Sequence, residues 1–78
     1  MYIYALRSEI DGRIYVGMSS NVEKRLKEHN AGYVFSTKGY RPWKLIYIEK
    51  ALNRLKARIR EKYLKSGVGK ELLKSIPR

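Results

Sequence analysis

Apolar and polar side chains alternate in short runs at the start of the chain, and a helical period appears only later. Tyr2-Ile3-Tyr4-Ala5-Leu6 and Arg13-Ile14-Tyr15-Val16-Gly17-Met18 are rich in aromatic and branched residues, which suit a pleated strand. Between them, Asp11-Gly12 tolerates positive φ and predicts a two-residue hairpin turn. That turn sets Ile10 opposite Arg13, Ser8 opposite Tyr15 and Leu6 opposite Gly17. Side chains alternate with period two, so Tyr4, Leu6, Ser8, Tyr15, Gly17 and Ser19 share one face. Ile3, Ala5, Ile14, Val16 and Met18 share the other, which is the more apolar. Gly17 removes a side chain from the first face. In a strand this marks either a kink or the close approach of backbone or ligand.

Ser20-Asn21-Val22-Glu23 fits a capping box with Ser20 at the cap. The helix it starts is predicted to run to about Ala31, where Gly32 is a natural terminator. Val22 and Leu26 form its apolar edge. Arg25 and His29 form a polar ridge beside that edge, and Glu23–Lys27 and Lys24–Glu28 have the spacing of surface ion pairs. Tyr33 to Arg41 reads as an exposed polar connector that brings Lys38 and Arg41 to the surface.

Pro42 then marks the entry to a third strand, Trp43 to Ile48. Trp43, Leu45 and Tyr47 are expected on one face, and Lys44, Ile46 and Ile48 on the other. Bulk on both faces predicts a strand covered on two sides or a central one. Asn53 to Ser66 is a second helix, with Leu52, Leu55, Ile59 and Tyr63 as its main apolar stripe. Glu61 points roughly opposite that stripe, beside Ala57 and Leu64. Val68 to Ile76 is a short third helix carrying Val68, Leu72, Leu73 and Ile76, with Lys70 and Lys74 outward. The order strand, strand, helix, strand, helix, helix predicts an α+β domain with a small antiparallel sheet flanked by helices.

Seventy-eight residues make one domain with a small core, and there is no cysteine to add a disulfide or a thiolate metal site. The chain starts straight into a strand without a signal peptide, and no apolar run approaches transmembrane length. The expectation is a soluble, cytoplasmic protein. Eighteen Lys and Arg face seven Asp and Glu, a net charge of +11, which should attract polyanions. Seven tyrosines and one tryptophan are interleaved with the basic residues, as suits a surface that meets phosphates and bases. Nucleic acid leads on this pattern. An anionic membrane surface is a rival that would need a basic amphipathic helix, for which 53–66 partly qualifies. Association with the ribosome is another reading of a small basic chain.

No His or Cys spacing for a metal, no Ser-His-Asp arrangement and no phosphate loop is legible. Glu61 on periodicity alone is a solvated helix residue paired with Arg58 or Lys65. A single carboxylate can nevertheless hold one Mg²⁺ when phosphate and water supply the other ligands. Tyr4 and Tyr15 taken singly suit sheet packing, and Arg25 and His29 suit a helix surface. Together, two phenols on one face followed by Arg and His on the next helix could surround a phosphate. A tyrosine accepts a proton only if its pKa is lowered or its own proton is passed on.

Tyr2-Ile3-Tyr4 followed by Tyr15-Val16-Gly17 resembles the signature of the GIY-YIG nuclease superfamily. Arg25 and His29 in Arg-Leu-Lys-Glu-His-Asn have that family's spacing. Ser36-Thr37-Lys38, Arg41-Pro42-Trp43-Lys44-Leu45 and Arg60-Glu61-Lys62-Tyr63-Leu64-Lys65-Ser66-Gly67 are similar to its small stand-alone branch. Tyr2 stands where the signature has Gly, Val16 where it has Ile, and no asparagine follows Asn53.

The resemblance implies a three-stranded antiparallel sheet flanked by helices and a metal-dependent phosphodiesterase site within a single domain over residues 1–78. It further implies that Tyr15 activates water with support from Tyr4. Arg25 would hold the phosphate, His29 would assist proton transfer, and Glu61 would bind a single Mg²⁺ or Mn²⁺. Gly17, Lys24, Lys38 and Arg41 are the expected nucleic-acid contacts. The implied partner is DNA, with RNA as an alternative. A protein partner would supply specificity, and no membrane is involved. The implied activity is structure-selective endonuclease cleavage, with DNA repair as the family-level setting. The rival function is a nucleic-acid-binding module of the same fold without turnover.

Overall fold

The computed structural model describes residues 1–77. Seven elements follow in order: β1 (Tyr2–Ser8), β2 (Ile14–Ser19), α1 (Val22–Ala31), α2 (Phe35–Lys38), β3 (Trp43–Lys50), α3 (Arg54–Lys65) and α4 (Gly67–Lys74). The strands form one antiparallel sheet in the order β2-β1-β3. α1 covers one face, where Val22 and Leu26 pack on Tyr4, Leu6 and Trp43. α3 and α4 cover the other, where Ala57, Leu64 and Leu73 pack on Ile3, Ala5, Ile14 and Val16. The expected α+β architecture is therefore present, with one extra short helix, α2, inside the segment expected to be an open connector.

The hairpin keeps its faces but not its register. Leu6 lies opposite Tyr15 and Tyr4 opposite Gly17, a slip of two residues from the two-residue turn. The cause is Ser8. Its Oγ accepts from the backbone N–H groups of Ile10 (3.1 Å) and Asp11 (3.4 Å), and its own N–H donates to the Arg13 carbonyl at 2.9 Å. A hydroxyl that bonds its own backbone in this way closes a longer loop, and Gly12 supplies the positive φ of 78° within it. A slip of two preserves side-chain parity, so the two phenols still share a face.

β3 departs further from expectation. It is an edge strand, and β1 is the central one. Ala5 pairs with Tyr47 and Leu6 with Leu45, so Ile46 is an extra residue, a β-bulge. Trp43 and Leu45 pack with Tyr4, whereas Tyr47 joins Ile46 on the opposite core. The bulk on both sides of this strand thus reflects a change of face and not a central position.

Both long helices correct the predicted detail. Asn21, not Ser20, caps α1, its side chain accepting from the Lys24 N–H at 3.1 Å, and Gly32 ends the helix in the left-handed region. Glu28 pairs with Arg25 at 3.0 Å instead of Lys24, while the Lys27–Glu23 pair forms at 3.8 Å. In α3 the buried residues are Ala57 and Leu64, so the stripe Leu52, Leu55, Ile59 and Tyr63 faces outward. Small Ala57 lets the helix sit close to the sheet, and the bulkier stripe lies on the opposite side of the helix.

In α4 only Gly69 and Leu73 are buried; Val68 and Leu72 are exposed, and Lys70 turns inward to the Ile14 carbonyl at 3.4 Å. A buried Arg7 on β1 fastens the end of this helix, donating to the carbonyls of Ile76 (2.8 Å) and Leu73 (3.4 Å). A cation at a helix C-terminus meets the negative end of its dipole.

Candidate active site

The α1 face of the sheet collects the chemistry. Tyr4 projects from central β1, and Tyr15 from β2 stands beside it with ring centroids 6.3 Å apart. Gly17 lies directly opposite Tyr4, and a Cβ there would fall 2.7 Å from the Tyr4 Oη and 3.0 Å from the Tyr15 ring. Of the readings open from the sequence, close approach is the one realised, and the approaching group is the Tyr4 side chain. Gly17, an expected nucleic-acid contact, is buried beneath the phenols.

His29, on the last turn of α1, is fully buried and not on a surface ridge. Both of its ring nitrogens are engaged. Nε2 lies 2.9 Å from the Tyr4 Oη, and Nδ1 lies 2.8 Å from the Thr37 Oγ1. Thr37 is itself fully buried and donates to the Val34 carbonyl at 3.3 Å. With its one proton spent there, Thr37 Oγ1 accepts from Nδ1–H. Nε2 is then bare and accepts the phenol proton of Tyr4. A directed chain therefore runs from Tyr4 through His29 and Thr37 to the Val34 carbonyl.

The electrostatics agree with this direction. Burial pushes the Tyr4 phenol up to about 12; the neighbouring Tyr15 and the Glu61 charge add to the rise, and Arg25 opposes it. Burial likewise pushes His29 down to about 4, helped by the Arg25 charge, so the imidazole is neutral near pH 7. Tyr15 is half-buried, packs edge-on against His29 at 4.9 Å, and its hydroxyl makes no hydrogen bond among the described residues. Tyr4 is thus a fixed neutral donor, and Tyr15 carries the phenol left free for a ligand.

Arg25 sits one turn before His29 and pairs with Glu28; that hydrogen bond raises its pKa and keeps it charged. It lines an open cleft of about 380 Å³ with Ser19, Ser20, Asn21, Lys24 and Glu28. Lys24 is exposed at the mouth. Lys38 and Arg41 are exposed on the α2 side, as expected, although Arg41 is partly committed: its Nε donates to the Lys38 carbonyl at 2.8 Å.

Glu61 comes from the packed side of α3. Its side chain is 12% exposed and meets Lys65 at 3.4 Å and Arg58 at 3.9 Å. Both pairings anticipated from helical spacing exist, yet the carboxylate is not solvated. Its charge is felt weakly at Tyr4, although α3 packs on the other face of the sheet. No group of three His, Cys, Asp or Glu that could hold a metal ion occurs among the described residues. Glu61 is therefore a lone hard-oxygen donor with cations on both oxygens. A lone carboxylate of this kind could hold one Mg²⁺ or Mn²⁺ only with phosphate and water as the other ligands and with Lys65 and Arg58 displaced, and does not fit an all-protein cage.

Sequence reasoning missed Thr37 and Asn30. Asn30 accepts from the Trp43 N–H at 2.7 Å and donates to the Trp43 carbonyl at 3.0 Å, like a neighbouring strand residue. The Trp43 indole N–H then donates to the Thr37 carbonyl at 2.8 Å. These bonds fold the connector back over His29. A threonine in a polar segment carries no signal of this in the sequence.

The family model described as GIY-YIG catalytic domain matches residues 1–74. A UPF0213 protein of Clostridium perfringens (strain 13 / Type A) is 42% identical over 82% of this chain and 69% of its own length. A UPF0213 protein of Syntrophus aciditrophicus (strain SB) is 44% identical over 62% of this chain and 56% of its own length. A third, from Staphylococcus haemolyticus (strain JCSC1435), is 36% identical over 96% of this chain and 92% of its own length. No solved structure matches the chain.

Proposed function

Because the chain belongs to the GIY-YIG catalytic-domain family, we propose that it is a metal-dependent endonuclease that cuts DNA by direct attack of water on a phosphodiester. The observation that carries this reading is the Tyr4–His29–Thr37 chain, which holds one phenol rigid and neutral beside the free phenol of Tyr15. Arg25 at the neighbouring cleft would hold the non-bridging oxygens of the phosphate and offset the charge that grows on them. The water oxygen would form the new bond to phosphorus as the bond to the leaving oxygen breaks. The Tyr15 oxygen would take the water proton as its own proton passes to the Tyr4 oxygen and the Tyr4 proton moves to the bare Nε2 of His29, while the leaving oxygen takes a proton from solvent.

Tyr4 supports this arrangement by position. With its proton committed to His29, its oxygen lone pairs remain to orient Tyr15 or the water. His29 lies behind Tyr4 and out of solvent, so its part in proton transfer would run through the Tyr4 phenol. Glu61 would hold the divalent ion, displacing Lys65 and Arg58. That ion would supply a Lewis acid for the phosphate and take up charge on the leaving oxygen. Lys24, Lys38 and Arg41 would track the phosphate backbone without reading sequence, as suits a structure-selective enzyme.

The existing Glu61 ion pairs favour a second reading, in which the carboxylate is structural and the domain binds nucleic acid without cutting it. One experiment separates the two. Labelled duplex, single-strand, flap, fork and four-way-junction DNAs are incubated with the wild type and Glu61→Ala, with Mg²⁺, with Mn²⁺ and with chelator. Metal-dependent cutting by the wild type alone is the expected result. Salt-sensitive binding by both proteins with no cutting by either would replace the enzyme with the binding module.

A further inference from the structure

The apolar stripe of α3 has no role in the site or in the core. Leu52, Leu55, Ile59 and Tyr63 are 87, 69, 60 and 42% exposed, on the side of the helix away from Ala57, Glu61 and Leu64. Four large apolar residues at three- and four-residue spacing form a ridge along a helix, the shape that receives another helix. We propose that this ridge docks a partner protein that offers an apolar helix face flanked by carboxylates.

The charge around the ridge chooses the partner. Lys50, Lys56 and Lys62 border it, are exposed, and have no carboxylate partner among the described residues. The nearby carboxylates are spent: Glu49 holds Arg60 at 3.0 Å, and Glu61 holds Lys65 and Arg58. A second copy would set lysine against lysine across a two-fold axis with no acid to spare.

Shape argues against a lipid surface. Ile59 and Tyr63 open into a hollow of about 480 Å³ shared with Glu49, Ala51, Lys56 and Arg60. A concave wall with a cationic rim receives a projecting side chain, whereas a bilayer has none to offer and would meet the Glu49 carboxylate. An amphipathic helix laid along α3, with one bulky apolar residue in the hollow and Asp or Glu beside Lys56 and Lys62, satisfies every one of these features. The docking face lies on the side of α3 opposite Glu61, so a bound partner would leave the phenol face open.

The test uses the full chain, isotope-labelled, and two synthetic helical peptides with the same leucine stripe. One peptide carries Glu at its flanks and the other Lys. The Glu peptide is expected to shift the amide signals of residues 50–63, to bind more weakly as salt rises, and to lose affinity about tenfold or more with the double variant Leu55→Ser/Ile59→Ser. Both substitutions are at exposed positions, and unchanged core amide signals report that the variant is folded. Equal binding of the Lys peptide, or no binding of either, would overturn the proposal. Sedimentation as a dimer that the double variant abolishes would overturn it in favour of a second copy. Stripe-dependent capture by phosphatidylcholine vesicles containing phosphatidylglycerol would overturn it in favour of a membrane surface. DNA binding by the double variant is measured alongside and is expected to stay unchanged, which keeps this outcome separate from that of the nuclease reading.

Discussion

Tyr4 and His29, twenty-five residues apart, share a buried hydrogen bond of 2.9 Å from Oη to Nε2. It ties the central strand to the last turn of α1 and commits His29 to the neutral form. That commitment gives stability a pH dependence. The unfolded imidazole titrates near 6.5 and the folded one near 4. Above 6.5 both states are neutral and the group adds nothing. As pH falls from 6.5 to 4, the unfolded state takes up a proton that the folded state refuses, so stability declines, by up to about 3 kcal/mol. Urea midpoints at pH 7 and pH 4.5 should show a drop that is much smaller in His29→Gln.

Thr37 fixes the far side of the same imidazole. Thr37→Val removes the acceptor for Nδ1–H and leaves a buried donor unpaired, at a cost of about 1–3 kcal/mol. Thr37→Ser restores the oxygen and should recover most of that loss. Nitrogen-15 NMR of His29 should show the Nδ1-protonated tautomer in the wild type and in Thr37→Ser, and a mixture in Thr37→Val.

The two phenols should respond differently to loss of their oxygen. Tyr15→Phe removes a hydroxyl with no partner among the described residues, so stability should stay within about 0.5 kcal/mol. Cleavage should fall by about a hundredfold or more if that oxygen handles the attacking water. Tyr4→Phe strips the imidazole of its partner and should cost roughly 1 kcal/mol in addition to activity. Paired denaturation and single-turnover measurements give both readouts.

Gly17→Ala is expected to damage the site from beneath. A new Cβ at 2.7 Å from the Tyr4 Oη forces the ring aside. Overpacking of this kind costs about 1–3 kcal/mol. Because the disturbance falls on the phenols, cleavage should drop far more than DNA affinity if that affinity is carried by Lys24, Lys38 and Arg41, as proposed. A parallel loss of both would place Gly17 in binding.

Arg7→Leu tests the fastening of α4. The guanidinium bonds two carbonyls at the helix end and is buried, so its loss should cost about 2 kcal/mol. Hydrogen exchange should then speed up in α4 first, with the amides of Ile3 to Leu6 in β1 still protected.

Much of this arrangement is legible in the sequence because parity survives error. The hairpin register was off by two residues, yet Tyr4 and Tyr15 still met, since a slip of two returns every side chain to its own face. The helix bounds were legible to within a residue, with Asn53 and Gly32 where expected and the cap of α1 at Asn21 beside the expected Ser20, because capping chemistry is local. Three things were not. The inward side of α3 was decided by how closely Ala57 could approach the sheet, whereas periodicity marked the bulkier stripe on the opposite side. Burial of His29 depends on Trp43 and Thr37 folding the connector over it, a contact between segments that no single pattern encodes. The bulge at Ile46 leaves an ordinary alternating strand in the sequence and is visible only through pairing with β1.

That bulge divides the molecule into two reading frames. β3 enters with Trp43 and Leu45 in the frame of the phenols and leaves with Tyr47 and Glu49 in the frame of the helices. Substitutions on either side can drift separately, one half altering the phenol face and the other the packing against α3 and α4. A change of length by one residue in this strand has no such freedom. Deleting Ile48, past the bulge and with Tyr47 kept opposite Ala5, would carry Glu49 across the sheet, strip Arg60 of its carboxylate, and set a new negative charge on the face of the phenols.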